Sequence, residues 1–131
     1  MVARILVIED NPESLEVMTC LLEAFGHTLL CARDGAEGLE VAGKEQPDLI
    51  ICDLQLPKIS GFDLCRQLKN DPSMRRVPLV AVTAQAMVGD RERVLEAGFN
   101  GYISKPINPR HFVEQVESYL ISEICEVASD G

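Results

Sequence analysis

Short apolar runs alternate with amphipathic stretches along the chain, and this alternation restricts the fold more than any other feature. Five runs lack a helical period, and each is followed by a stretch in which apolar residues recur every three or four positions. Such alternation predicts a parallel sheet with helices covering both of its faces. The predicted strands are residues 4–8, 28–32, 48–52, 78–82 and 100–104, and the predicted helices are residues 12–25, 35–44, 61–69, 88–97 and 109–121.

The number and order of these elements favour one topology. Right-handed crossovers in a chain of this size predict a flavodoxin-like, doubly wound (βα)5 fold, in which five parallel strands take the order 2-1-3-4-5. Ligands of such folds bind beyond the carboxyl ends of the strands, where the first and third strands adjoin. We expect residues 1–124 to form this domain and residues 125–131 to be a polar tail or the start of a linker.

Composition narrows the functional classes. The chain has 131 residues, of which 47% are hydrophobic, and this suffices for one domain with one core. Its net charge of −9 argues against direct nucleic-acid binding, since nucleic-acid binders usually carry a basic stripe. No apolar run approaches the ~18 residues that cross a bilayer, and the N-terminal sequence lacks the features of a signal peptide. We therefore expect a cytoplasmic protein that contacts neither nucleic acid nor membrane.

Cysteine and histidine spacing does not favour a structural metal site. The five cysteines form no CxxC motif, so we expect reduced, mostly buried thiols rather than a disulfide framework or a zinc site. The two histidines, His27 and His111, are far apart in the sequence and lack the spacing of metal ligands. We interpret both as surface residues near helix ends.

Polar residues directly follow four of the five predicted strands. Glu9 and Asp10 follow the first strand, and Asp53 follows the third. Thr83 follows the fourth strand, and Lys105 follows the fifth. Because parallel strands end at the same edge of a sheet, three carboxylates, one hydroxyl and one amine are expected to share a pocket.

The chemistry of this set points to a cation and a phosphoryl group. Neighbouring carboxylates repel one another by ~4 kcal/mol at 4 Å with an effective dielectric constant of 20, so such a cluster holds either protons or a cation. Mg²⁺ prefers oxygen ligands and combines carboxylates with phosphate oxygens. Asp53 would then be a nucleophile for a phosphoryl group, with Thr83 and Lys105 contacting its oxygens.

Each of these residues also has an ordinary structural explanation when it is taken alone. Asp10 is placed to cap the first helix, and Asp53 to cap a loop. Thr83 is an unremarkable residue at a strand end, and Lys105 before a proline is typical of an exposed turn. The occurrence of all of them in this order, each at the end of a strand, favours a common site.

Four motifs resemble those of the receiver domain of two-component response regulators, over nearly the whole chain. They are residues 8–11 (Ile-Glu-Asp-Asn), 52–57 (Cys-Asp-Leu-Gln-Leu-Pro) with Gly61 following, 81–84 (Ala-Val-Thr-Ala) and 104–106 (Ser-Lys-Pro). Within the family, residues 79–107 look most similar to single-domain receivers of the cell-cycle type. They also resemble receivers that are fused to nucleotide-cyclase output domains.

The resemblance implies a signalling switch of a phosphorelay rather than an enzyme. Asp53 would accept a phosphoryl group from a histidine kinase or a histidine phosphotransfer protein, in a reaction that requires Mg²⁺ or Mn²⁺. Asp10, Asp53 and the main-chain carbonyl of Gln55 would bind the metal directly, and Glu9 would bind it through water. The phosphoryl oxygens would contact the side chains of Thr83 and Lys105.

The resemblance also implies how the signal leaves the site. Tyr102 would be the switch aromatic, which turns inward as Thr83 is drawn to the phosphoryl group. The peptide bond between Lys105 and Pro106 would be cis. A downstream protein would bind the surface formed by the fourth helix, the fifth strand and the fifth helix. The side chains of Gln55 and Gln85 would tune the lifetime of the phosphoryl group. Met87 and Val88 would contribute to partner recognition.

Several alternatives stay open at this point. The chain could be a receiver excised from a larger multidomain regulator or hybrid kinase, or an interaction module that works without phosphorylation. A hydrolase of the same topology is disfavoured, because aspartyl phosphatases usually need a second acid where Gln55 stands. A flavodoxin is disfavoured because its flavin phosphate would meet an acidic first loop. We expect a monomer or a weak dimer.

Overall fold

The computed structural model describes residues 3–84 and 90–130, with the backbone alone at residue 90 and residues 121–130. Five strands and five helices alternate along the described chain, as the apolar pattern predicts. The strands are β1 (Arg4–Ile8), β2 (Thr28–Ala32), β3 (Leu49–Asp53), β4 (Leu79–Thr83) and β5 (Gly101–Ser104). The helices are α1 (Pro12–Ala24), α2 (Gly35–Glu45), α3 (Gly61–Asn70), α4 (Asp90–Ala97) and α5 (Pro109–Asp130).

All five strands are parallel and form one sheet in the order β2-β1-β3-β4-β5, which confirms the predicted topology. The carboxyl ends of the neighbouring strands are aligned in the register of the sheet. Ile8, the last residue of β1, pairs with Cys52, and Thr83, the last residue of β4, pairs with Ser104. Residues that follow these strands therefore emerge at one edge of the sheet.

Successive side chains of each strand point to opposite faces, so the sheet has two hydrophobic cores. One face packs against α1 and α5, through residues such as Val7, Val82 and Phe112. The other face packs against α2, α3 and α4, through residues such as Ile8 and Leu64. Because both faces are covered, every residue of β3 and β4 is buried, and these strands show no alternation of polar and apolar residues.

Polar residues begin the helices on the carboxyl side of the sheet. The side chain of Asn11 accepts hydrogen bonds from the backbone N–H groups of Glu13 (2.9 Å) and Ser14 (3.1 Å), which caps α1. Asp34 caps α2 and Ser60 caps α3 in the same way. These caps hold the loops that carry the polar residues of the strand ends.

Two predictions about polar and thiol side chains were wrong in part. His27 is buried, because its Nδ1 accepts a hydrogen bond from the backbone N–H of Ala3 at 3.1 Å as the chain enters β2. His111 is exposed, as predicted. Of the described cysteines, two are buried on the sheet and in α3 (Cys52 and Cys65), but two are exposed on α1 and the edge strand β2 (Cys20 and Cys31).

Helix ends differ from the predicted limits. Phe25 is 60% exposed, because it stands at the C-terminal cap of α1 and no longer follows the buried face of that helix. The backbone of α5 continues to Asp130, beyond the predicted end at residue 121. The predicted start of α4 at residue 88 lies outside the described residues.

Candidate functional site

The level strand ends bring three carboxylates together at the carboxyl edge of β1 and β3. Ligand oxygens of Glu9, Asp10 and Asp53 all lie within 4.8 Å of one another. Glu9 and Asp53 are buried, whereas Asp10 is exposed. The structural explanation of Asp53 is met, because it closes a tight turn in which the backbone N–H of Gln55 donates to its Oδ1 at 2.8 Å.

The structure excludes the alternative explanation of Asp10 as the cap of the first helix. The α1 cap is formed by the side chain of Asn11 and not by that of Asp10. The carboxylate of Asp10 is thus available to the cluster, one residue before the helix that Asn11 begins. The backbone N–H of Asn11 also donates to Oε2 of Glu9 at 3.2 Å, which orients the buried carboxylate.

Glu9 is the most confined member of the cluster, with 1% of its surface exposed. Burial, together with the neighbouring carboxyl group of Asp53, raises the pKa of Glu9 to about 7. Among the described residues, no donor forms a hydrogen bond with Oε1 of Glu9. Lys105 Nζ lies 2.7 Å from this oxygen, so the two groups form an ion pair.

Lys105 reaches back from the end of β5 to the carboxylates. Its Nζ donates a hydrogen bond to Oδ2 of Asp53 at 3.1 Å, in addition to the ion pair with Glu9. Burial lowers the pKa of Lys105, but the two carboxylates more than offset this effect, so the pKa is raised overall. One ammonium group therefore faces three carboxyl groups.

The remaining predicted residues line the neighbouring strands. Thr83 is buried at the end of β4, and its carbonyl accepts a hydrogen bond from the backbone N–H of Lys105 at 2.8 Å. Tyr102 lies on β5, half-buried against the core that α3 and α4 cover. The peptide bond between Lys105 and Pro106 is cis. Gln55 is exposed beside Asp53.

Gln85, Met87 and Val88 lie outside the described residues, so their predicted roles are not addressed by the structure.

Residues 5–117 match the response regulator receiver domain family, which is most of the chain. The chain belongs to this family. It is a receiver domain of the two-component type, with the five-stranded fold that the motifs implied. The predicted resemblance to the family is therefore confirmed.

A curated relative narrows the resemblance within the family. The receiver domain is 42% identical over 116 residues to the polar-differentiation response regulator DivK of Brucella anthropi. This match spans 88% of the chain and 94% of the relative. The relative is a response regulator of similar length, which agrees with the predicted resemblance to single-domain receivers.

Solved structures support the same assignment. A putative response regulator from Chloroflexus aurantiacus has a TM-score of 0.87 and 30% identity, with 92% of this chain and 99% of that chain covered. The receiver domain of the sensor histidine kinase PA1611 from Pseudomonas aeruginosa has a TM-score of 0.83 and 32% identity. That match covers 92% of this chain and 98% of the other, whose active-site cleft contains a coordinated magnesium ion.

The residues of this receiver domain fit a hard divalent cation. The cluster offers three neighbouring carboxylates, whose oxygens are the ligands that Mg²⁺ prefers. The positive charge of Lys105 does not balance three carboxylates. A divalent cation would complete the balance and favour the ionised form of Glu9.

Two contributions to the site were not predicted from the sequence of the receiver domain. Asn11 caps α1 and also orients Glu9. The preference for Ser, Thr, Asp and Asn at helix starts predicts the first role but not the second. Lys105 was expected to contact the phosphoryl oxygens and to offset the carboxylates together with a cation, but its direct ion pair with Glu9 was not specified. No helix in the described part of the chain is long and apolar enough to span a membrane.

Proposed function

We propose that Asp53 is the phosphoacceptor of this receiver domain. The observation that carries the proposal is the position of its carboxylate, which lies at the end of β3, in contact with the ammonium group of Lys105 and beside the carboxylates of Glu9 and Asp10. A carboxylate nucleophile needs alignment and charge balance more than a general base. Both requirements are met by groups that already contact or adjoin Asp53.

The donor is a phosphohistidine of a histidine kinase or a histidine phosphotransfer protein. A carboxylate oxygen of Asp53 attacks the phosphorus atom, the phosphorus–nitrogen bond breaks, and the histidine nitrogen leaves with the bonding electron pair. The product is an acyl phosphate on Asp53. Lys105, which holds Oδ2 of Asp53 at 3.1 Å, then pairs with a phosphoryl oxygen, and the hydroxyl of Thr83 donates to another.

The reaction depends on Mg²⁺ or Mn²⁺. Asp10, Asp53 and the main-chain carbonyl of Gln55 would bind the metal directly, and Glu9 would bind it through water. When bound, the ion supplies charge neutralisation for the carboxylate and the incoming phosphoryl oxygens. This assignment is supported by the grouping of the three carboxylates and by the magnesium ion in the related PA1611 receiver.

Phosphorylation changes the surface formed by α4, β5 and α5. Thr83 moves toward the phosphoryl group, and Tyr102 turns inward into the space beside β4. Phosphorylation favours this arrangement only because the phosphoryl group interacts more favourably with it than with the arrangement before the shift. A downstream protein then binds this surface. Gln55 and Gln85 set the lifetime of the acyl phosphate against hydrolysis.

This function makes the chain a signalling switch that promotes only its own phosphorylation and dephosphorylation. Residues 1–124 form the receiver domain, and residues 125–131 are a tail or the start of a linker. The protein acts in the cytoplasm as a monomer or a weak dimer. The kinase or phosphotransfer partner contacts the receiver on one side of the site, and the output partner contacts it on the other side.

Labelling with acetyl phosphate tests the proposal. Wild-type protein in Mg²⁺ is expected to gain one phosphoryl group by intact mass spectrometry, and EDTA should prevent the gain. Asp53→Asn should abolish labelling, whereas the matched control Asp71→Asn should not, since Asp71 lies after α3 and bonds to Ser73. An unlabelled wild-type protein, with acetyl phosphate and with histidine kinases, would favour an interaction module that works without phosphorylation.

A further inference from the structure

A groove of about 460 Å³ lies between α4, β5 and α5. Its polar lining comes from Arg91 of α4, Ser104 of β5, and Asn108, His111 and Gln115 at the start of α5. None of the described residues that line it is an aspartate or a glutamate. This is unusual on a chain with 21 acidic residues and a net charge of −9.

Within the described part of the chain, the cation of the groove, Arg91, forms no ion pair with a carboxylate. The same holds for His111 among the described side chains. Arg4 and Arg66, by contrast, pair with Glu45 and Asp63. Arg91 lines the groove, and the planar donor set of a guanidinium group is suited to bind a carboxylate in bidentate fashion.

We propose that this groove binds a carboxylate-bearing peptide segment of the downstream protein. A carboxylate of the segment pairs with Arg91, and His111 contacts the segment beside it. The hydroxyl of Ser104 and the amides of Asn108 and Gln115 can hydrogen-bond to the peptide backbone. The local charge complementarity selects acidic side chains, and the neutral donors and acceptors accommodate an extended chain.

A peptide fits the groove better than a nucleic acid. A nucleic acid would carry many phosphates within a Debye length, about 8 Å at physiological salt, of a surface that is acidic overall. A short segment with one or two carboxylates meets the cation of the groove and avoids most of that repulsion.

Occupancy of the groove is coupled to the switch through Tyr102, and this part of the inference rests on the proposed function. Tyr102 lines the groove and also packs against the core that α3 and α4 cover. An inward turn of its ring reshapes the groove wall. Phosphorylation of Asp53 is therefore expected to tighten peptide binding, while the selection of acidic residues belongs to the groove in both states.

An array of random short peptides, probed with the unphosphorylated protein, tests the selection directly. The bound peptides are expected to be enriched in aspartate and glutamate, and replacement of those residues by asparagine and glutamine should weaken binding at least about tenfold. Amide chemical shifts of the labelled protein should change at β5 and the first turns of α5. Enrichment of neutral or basic peptides, or shifts confined to other surfaces, would overturn the inference.

Charge variants sharpen the test. Arg91→Gln should weaken the acidic peptides about tenfold, and Arg91→Glu should shift the array preference to basic peptides. Arg76→Gln, an equal charge change at an exposed position in the loop before β4, should leave binding unchanged. An equal loss in the Arg76 variant, or tighter binding of a single-stranded oligonucleotide to the groove, contradicts a peptide site.

The two proposals can fail separately. Binding by the unphosphorylated protein depends on the groove alone, and acetyl phosphate labelling depends on Asp53 alone. Peptide binding without labelling would refute the phosphorylation switch and keep the groove. Labelling without acidic-peptide binding in either state would refute the groove and keep the switch.

Discussion

Charged side chains are paired at the amino end of the parallel sheet but crowded at its carboxyl end. At the amino end, Arg4 donates to the carbonyl of Glu45 (2.6 Å) and to its carboxylate (2.7 Å), and the backbone N–H of Arg4 donates to Asp48 (2.9 Å). Lys69 donates there to the side-chain carbonyl of Asn100 at 3.2 Å. Each of these charges meets an opposite charge or a dipole that it satisfies.

At the carboxyl end, one ammonium group faces three carboxyl groups, and the most buried of them has a pKa raised to about 7. Charges at the amino end are paired, whereas those at the carboxyl end leave an excess of negative charge that the proposed divalent cation would offset. We therefore expect the carboxyl end to lower the stability of the fold when no cation is bound. Four predictions test this contrast.

Replacement of Lys105 by methionine should have the largest effect. The substitution removes the cation that partly offsets the three carboxylates, and we expect a loss of ~3 kcal/mol of unfolding free energy in EDTA at pH 8. Urea denaturation followed by circular dichroism measures this loss. Lys44→Met is the matched control, because Lys44 forms only an exposed pair with Glu40, worth less than ~0.5 kcal/mol. Equal losses in the two variants would show that Lys105 does not balance the cluster.

The pH dependence of stability should follow Glu9. Its folded-state pKa of about 7 lies above the ordinary value of 4.5, so the folded protein binds more protons than the unfolded chain between these values. Without divalent cations, stability should therefore fall as pH rises from about 5 to 8, by at most ~3 kcal/mol. Glu9→Gln should flatten this decline, and thermal unfolding across the pH range measures it.

Two other acids do not disturb that pH window. The pKa of Asp34 is lowered by a backbone hydrogen bond from Glu37, and that of Asp71 by a hydrogen bond from Ser73. Lowered values place their contributions below about pH 4, where stability is lost as pH falls. A decline between pH 5 and 8 that persists in Glu9→Gln would have to come from a different group.

Magnesium should reverse the pH trend. The ion favours ionised carboxylates, so its binding should release protons below pH 7 and weaken as pH falls. At a concentration of about 100 times Kd, we expect a gain of ~2.7 kcal/mol of unfolding free energy at pH 8. Calorimetric titration in two buffers of different ionisation enthalpy measures the proton release. Proton release that is unchanged in Glu9→Gln would contradict the role of Glu9.

The smallest effects compare one aspartate at each end of the sheet. Asp48→Ala removes the acceptor of the Arg4 backbone N–H and should lower the unfolding free energy by ~1 kcal/mol. Asp53→Asn removes a carboxylate from the crowded end and should raise it by ~1 kcal/mol at pH 8 in EDTA. Chemical denaturation of both variants measures the two changes in unfolding free energy. Changes of the same sign would contradict the proposed difference between the two ends of the sheet.

Most of the fold could be predicted because the strands are buried on both faces. A doubly buried strand is apolar throughout, so β3 and β4 are visible as short runs without a helical period. Surface details were less predictable. His27 is buried by a hydrogen bond from Ala3, a residue far away in the chain, and Phe25 is exposed because α1 ends at Ala24. Such outcomes depend on neighbours that local pattern does not specify.

The sequence by itself determined the order of the strands and the residue types that stand at their ends, because hydrophobic periodicity and connection rules act locally along the chain. Only the tertiary structure decided how those residues interact. It assigned the α1 cap to Asn11, freed Asp10 for the cluster, and placed Lys105 between Glu9 and Asp53. The physical reason is that strand register and burial set the distances between charges, and both arise only when distant segments pack together.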